Sequence, residues 1–276
     1  MKTALLQLTA SDDPVANLDV TCRHLDTAAA QGAAFILTPE VTNCVSLDRA
    51  RQQAVLQSQD DDITLSALRG KAAEHGVWIL IGSLALRTDD PDGRFANRSF
   101  LINPAGEIAA QYDKIHMFDV QVTAEETFRE SAGYRPGAQA VVAHTDIGCI
   151  GMTICYDLRF PLLYNALAEA GAEIITIPAA FSPVTGAAHW HALLRARAIE
   201  TGCFVLAPAQ TGSHPGKTSK TRTTYGHSLV VGPWGDVQLD AGDAPGVYIT
   251  DLDMGEVQEA RKRVPSLRNV RKFDGP

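Results

Sequence analysis

From Thr3 to Leu239 short apolar runs alternate with stretches of helical periodicity, and four of those stretches stop at a glycine. Thr3–Leu8 reads as a strand, followed by an amphipathic helix over Val15–Gln31 closed by Gly32. Phe35–Pro39 is a second strand, Ile63–His75 a helix closed by Gly76, and Val77–Leu86 a third strand. Arg98–Asn103 is a strand that turns through Pro104-Ala-Gly106 into Ile108–Asp113. Further on, Ile147–Ile154 is a strand and Pro161–Ala170 a helix closed by Gly171; Glu173–Ile177 is again a strand. His189–Thr201 is a helix closed by Gly202, Phe204–Ala207 a strand, and His227–Val231 with Asp236–Leu239 a hairpin around Pro233-Trp-Gly235. Glycine just past a periodic stretch is the usual helix stop, because the chain needs a left-handed residue there. Alternation of this kind builds packed α and β layers, so the fold class is α/β. With no low-complexity linker and no clear repeat, residues 1–276 read as one domain. Asp119–Pro136 and Ser182–Ala188 lack periodicity, and loops of that length in a compact chain are usually site walls or lids.

At 276 residues and 45% hydrophobic content the chain can bury a sizeable core. Its net charge of −8, with both signs interspersed, disfavours binding nucleic acid by bulk charge. The basic segment Arg261-Lys-Arg263 to Arg271-Lys272 is a local exception, read as a solvated or interface tail. Met1–Ala10 has some look of a signal peptide, but its apolar part is short and Gln7 breaks it, so a first β-strand is expected. No apolar run is long enough to cross a bilayer. Five scattered cysteines, at 22, 44, 149, 155 and 203, argue against a disulfide framework and for a reducing cytoplasm.

The strand ending at Ile154 runs straight into Cys155 and then toward Pro161, the expected first turn of a helix. Such a junction holds a side chain at the mouth of a sheet, where α/β proteins place ligands. Cys155 there is either a small buried hydrophobe or a nucleophile for a carbonyl carbon, given a neighbour that takes its proton. Three other residues stand at comparable places. Glu40 follows Phe35–Pro39; it is a surface charge or a desolvated base. Lys114, in Tyr112-Asp-Lys-Ile-His116, is a solvent lysine or, in a closed site, a stabiliser of an oxyanion. Glu130, in Phe128-Arg-Glu-Ser131, reads by itself as a surface charge. Cys149, Cys155, His144 and His189 invite a zinc reading, but no CxxC or HxxxH pair supports it, and no metal is expected. His189, His191, His214 and His227 could each partner Cys155 in a cysteine–histidine pair; His227, on an apolar strand, reads better as a core histidine.

Taken in order, TPEV around Glu40, YDKIHMFD around Lys114, RES around Glu130 and TICYDLRFP around Cys155 resemble the nitrilase, or carbon–nitrogen hydrolase, superfamily. The resemblance runs through AGAEIITIPAAF, TGAAHWHALLRARAIETGCF and YGHSLVVGPWG, hence over essentially the whole chain. LRARAIET, Ala209–Gly212 and Arg222–Ser228 are most like the branch related to amidases of deaminated glutathione. One departure is His191, where that branch and the ω-amidase branch usually carry Glu.

The resemblance implies a four-layer α-β-β-α sandwich that dimerises, with the tail from about residue 261 at the interface. It also implies amide hydrolysis without a cofactor, on a small carboxylate-bearing substrate. Glu40 takes the Cys155 proton, the thiolate attacks the carbonyl, and Lys114 with the Tyr156 backbone N–H receives the negative charge. Glu40 then protonates the departing nitrogen and activates water against the thioester, while Glu130 orients Lys114 or the substrate. Phe118, Phe181 and Thr185 are expected pocket walls. Arg159 either grips a substrate carboxylate or pairs with Asp157 or with a carboxylate at an interface. Deaminated glutathione is the expected substrate. ω-Amidase action on α-ketoglutaramate, N-carbamoyl amino acid hydrolysis and a catalytically silent scaffold are the alternatives. Lys217, Lys220 and Arg222 form a basic loop suited to a dianionic amide.

Overall fold

The computed structural model describes residues 1–124, 126–216 and 222–275. The strands are β1 (Lys2–Gln7), β2 (Phe35–Leu37), β3 (Trp78–Leu86), β4 (Ala96–Ile102), β5 (Ile108–Asp113), β6 (Asp119–Gln121), β7 (Thr127–Arg129), β8 (Val141–Thr145), β9 (Gly148–Met152), β10 (Ile174–Thr176), β11 (Phe204–Ala207), β12 (Thr211–His214), β13 (Arg222–Tyr225), β14 (Leu229–Val231), β15 (Val237–Asp240) and β16 (Gly246–Asp251). The α-helices are α1 (Pro14–Ala30), α2 (Arg49–Val55), α3 (Ile63–His75), α4 (Pro161–Glu169), α5 (Pro183–Thr201) and α6 (Gly255–Arg263).

Two six-stranded sheets carry the fold, in the orders β16-β1-β2-β3-β4-β5 and β15-β14-β11-β10-β9-β8. In each, central strands pair in parallel and edge strands antiparallel. Strand periodicity explains the layering. In the first sheet Leu5, Leu37, Leu80 and Leu101 face inward and share one core with Ile150, Met152 and Ile174 of the second. The alternate residues Leu6, Ile36, Ile79 and Phe100 face outward onto Leu25 of α1 and Leu68 of α3. Helices α4 and α5 cover the far side of the second sheet, through Tyr164, Leu167, Trp190 and Leu194. The result is the expected α-β-β-α sandwich.

Gly32, Gly76, Gly171 and Gly202 all have positive φ at or just past helix ends. Three sequence expectations change. Ser182–Ala188 is not a loop: α5 already begins at Pro183, whose fixed φ suits a first helical turn. Asp119–Pro136 is the β6–β7 hairpin followed by a 3₁₀ turn over Glu130–Ala132. The basic segment is helical at its start, because Arg261 donates to the Thr201 and Ala172 carbonyls and ties α6 to the end of α5. Among the described residues, no helix is long and apolar enough to cross a membrane.

Candidate active site

Both sheets send their strand ends toward one cavity of about 360 Å³. Glu40 lies three residues past β2, Lys114 directly after β5, Cys155 three past β9, and Glu130 at the start of the 3₁₀ turn after β7. All four line the cavity, with Tyr156, Phe118, Phe181 and Thr185. Asn97, Arg49, Arg129 and Arg222 line it as well.

Lys114 is 2% exposed and sits between two carboxylates. Its Nζ donates to Glu40 Oε1 at 2.9 Å and to both oxygens of Glu130, at 2.9 and 2.8 Å. The second Glu40 oxygen accepts the Ala180 N–H at 2.9 Å, which joins the two sheets across the site. Asn97 Nδ2 donates to Glu40 at 2.9 Å and to Glu130 at 3.3 Å, and the Phe118 N–H donates to Glu130 at 2.6 Å. A buried lysine needs this much compensation.

The protonation pattern follows from these charges. Burial raises the Glu40 carboxyl, but the Lys114 charge and hydrogen bond overcome it, and Glu40 stays below the usual carboxylate range. Burial alone pushes the Lys114 ammonium down, whereas Glu130 and Glu40 hold it well above its ordinary value. Burial and then the Glu40 charge push the Cys155 thiol up, against the pull of Lys114. The site therefore rests as neutral thiol, carboxylate and ammonium.

Cys155 adopts φ +49°, and Val41, next to Glu40, adopts φ +47°. Left-handed backbone at non-glycine residues is strained and persists where the surroundings over-determine it. At Cys155 the N–H is donated to Pro178 O at 2.9 Å. Asp157, fully buried, clamps the following turn: it accepts from Ile154 N and Tyr112 OH on one oxygen and from His116 N and its ring on the other. Tyr112 and His116 flank Lys114, so one carboxylate fixes the cysteine turn to the lysine strand end.

Two expectations for Arg159 do not hold. It does not line the cavity, and Asp157 is bound to His116 and Tyr112 rather than to it. Its guanidinium meets His189 Nδ1 at 3.3 Å and stacks over Phe181 at 5.4 Å. None of His189, His191, His214 and His227 lines the cavity, whereas Glu40 does. His227 is not a core histidine: it precedes β14, is partly exposed, and pairs with Asp240 at 2.8 Å. Cys149 sits at the surface side of β9, 3.1 Å from His144, apart from the cavity. Lys217 and Lys220 lie outside the described residues; Arg222 reaches the cavity and donates to Ala180 O at 2.8 Å. Sequence reading missed Asn97, Arg49 and the clamping role of Asp157. Asn97 and Asp157 are polar residues in apolar surroundings, a weak signal in one sequence, and Arg49 lies in the short, unrecognised α2.

The carbon–nitrogen hydrolase family model matches residues 2–262. This chain belongs to the carbon–nitrogen hydrolase family. The hydrolase is 39% identical over 273 residues to a deaminated glutathione amidase of Yersinia enterocolitica, covering 97% of this chain and 92% of that one. The crystal structure of the C. elegans NitFhit protein superposes with TM-score 0.88 at 32% identity, over 98% of the hydrolase and 65% of the longer NitFhit chain. A variant of the amidase from Nesterenkonia sp. AN1, with acrylamide added to its active-site cysteine, matches with TM-score 0.75 at 28% identity over 96% of this chain and 98% of that one.

Proposed function

We propose that this hydrolase cleaves the amide bond of a small carboxylate-bearing substrate through a thioester on Cys155. The observation that carries the reading is the convergence of the Cys155 thiol, the Glu40 carboxylate and the Lys114 ammonium on one cavity, with Lys114 Nζ 2.9 Å from Glu40 Oε1. Because the proton rests on sulfur, deprotonation accompanies attack rather than preceding it. Glu40 takes the proton as sulfur bonds to the carbonyl carbon. The developing oxyanion is received by Lys114 and the Tyr156 N–H; the Cys155 N–H is already committed to Pro178. Glu40 returns the proton to the leaving amine as the C–N bond breaks. It then takes a proton from water as the water oxygen attacks the thioester carbon, and gives that proton to the Cys155 sulfur as the C–S bond breaks and the acid leaves. Glu130 holds Lys114 in place throughout, and no cofactor is required.

Deaminated glutathione is the proposed substrate, supported by the likeness to amidases bearing that name and by the cavity's charge. Arg49, Arg129 and Arg222 line a cavity that otherwise suits apolar groups, and they favour a ligand with more than one carboxylate. Hydrolysis of its amide yields a keto acid and a dipeptide amine.

Cys155→Ala is expected to fold normally and lose turnover by roughly 10³ or more, and quenched wild-type reactions to carry an acyl adduct on Cys155 by mass spectrometry. Residual activity near wild type would remove the covalent reading. In a substrate panel kcat/KM should favour deaminated glutathione; preference for α-ketoglutaramate would reassign the enzyme as an ω-amidase.

A further inference from the structure

Outside the lining of the cavity, His191 of α5, His227 before β14 and Asp240 at the end of β15 converge. His191 Nε2 lies 2.9 Å from one Asp240 oxygen and His227 Nδ1 lies 2.8 Å from the other. The three ligand atoms all fall within 4.8 Å of one another. We propose that this triad is a binding site for a borderline divalent transition ion of the zinc class, separate from the catalytic cavity.

The donor chemistry selects the ion. Two imidazoles and one carboxylate suit zinc and its neighbours and disfavour magnesium and calcium, which want oxygen alone. Ligand atoms around such an ion stand roughly 3.0–3.4 Å apart, so the triad needs only small side-chain movements to close on it. Side-chain exposures of 36% for His191, 27% for His227 and 33% for Asp240 let an ion enter and keep water on its open positions. Without an ion, the ring nitrogen of each histidine that faces Asp240 donates its N–H to that carboxylate. On binding, that nitrogen's lone pair takes the metal and the ring proton moves to the other nitrogen. No redox change is involved.

The other three-residue cluster among the described residues makes a useful contrast. Asp26, Glu74 and His75 also gather, but Lys71 Nζ stands 2.8 Å from Asp26 and 3.0 Å from Glu74 and already fills the cationic position. Among the described residues, the Asp240 carboxylate meets the two histidines and the Gly242 N–H and no lysine or arginine. Both clusters share the chemistry of a carboxylate seeking a cation; only the first offers ligands in place of one. The His144–Cys149 pair supplies two donors and no third.

The test titrates the full-length protein with zinc by calorimetry, and with cobalt by visible absorption. One ion per chain is expected, with binding weakened tenfold or more in each of His191→Gln and His227→Gln and little affected by Cys149→Ser. Excess magnesium should not compete. Both glutamine variants are expected to keep amide hydrolysis, which shows that they are folded. Bound cobalt should give d–d bands without a thiolate charge-transfer band. Unchanged zinc affinity in both histidine variants, or binding lost only in Cys149→Ser with a thiolate band in the wild type, overturns the proposal.

Discussion

At the scale of single residues the site is an exercise in compensated burial. Lys114, Glu40 and Glu130 are charges that a core would exclude one at a time; Lys114 is held by both carboxylates, and each carboxylate by Lys114 and neighbouring N–H groups. Glu40→Gln removes the base while keeping most of this network, so turnover should vanish with the melting temperature nearly unchanged. Asp157 differs, because it accepts four bonds and touches none of the reacting atoms. In Asp157→Asn one acceptor oxygen becomes a donor facing Tyr112 OH or the His116 N–H groups. A loss of about 2–4 kcal/mol in stability is expected. Misplacement of the Cys155 turn should lower kcat about 10²-fold. Urea unfolding and steady-state kinetics on the same preparation check both. Stability lost with kcat intact would limit Asp157 to the fold.

At the scale of elements, the close approach of the two sheets depends on Gly82 in β3. A Cβ there would lie 2.0 Å from Thr38 O and 2.6 Å from both Pro39 O and Pro178 Cβ. Thr38 and Pro39 lead into Glu40, and Pro178 O holds the Cys155 N–H. Gly82→Ala must therefore push backbone apart at the site itself. It should cost about 3 kcal/mol or more and most of the activity. Gly70, inside α3 with nothing within 4 Å, is the control. Gly70→Ala should raise stability by about 0.5–1 kcal/mol. Thermal melts of the two variants should move in opposite directions. The hairpin β12–β13 is locked in a different way. Buried His214 donates from Nδ1 to Ala10 O at 2.7 Å and accepts from Thr224 Oγ1 at 2.7 Å on Nε2. Burial lowers its pKa to about 4. Between pH 4 and the unfolded value near 6.5 the unfolded chain binds the extra proton, so stability falls as pH falls through that window. The full loss is about 3 kcal/mol. His214→Gln should flatten that part of the acid limb, measured by denaturant unfolding from pH 7 to pH 4.

At the scale of the whole molecule, α4 and α5 leave apolar side chains uncovered: Leu162 is 81% exposed, Val184 53% and Ile199 54%. Past α6 the tail adds Phe273, 88% exposed. Exposed apolar surface of this extent on one layer marks a contact with another molecule. A homodimer of the 29.6 kDa chain is the expected occupant, and sedimentation at micromolar concentration should give about twice that mass. Leu162→Glu with Ile199→Glu should shift the species to monomer. A wild-type monomer would leave these faces and the tail without their proposed role.

What the sequence determined by itself is local and periodic. Two-residue and 3.6-residue apolar spacing, with glycine after helical runs, placed most strands and helices and hence the α/β class, because these signals arise from backbone geometry within a few residues. The ordered motifs around Glu40, Lys114, Glu130 and Cys155 made the family resemblance legible across the chain. Only the tertiary structure decided how those side chains meet. Asn97 bridging two carboxylates, Asp157 clamping two strand ends, Arg222 entering the cavity while Arg159 stays out, and His227 turned to Asp240 instead of the core are all contacts between residues far apart in sequence. Short segments also went unread. The α2 helix, the β6–β7 hairpin and the first turns of α5 carry little periodicity of their own, and tertiary packing settled their form.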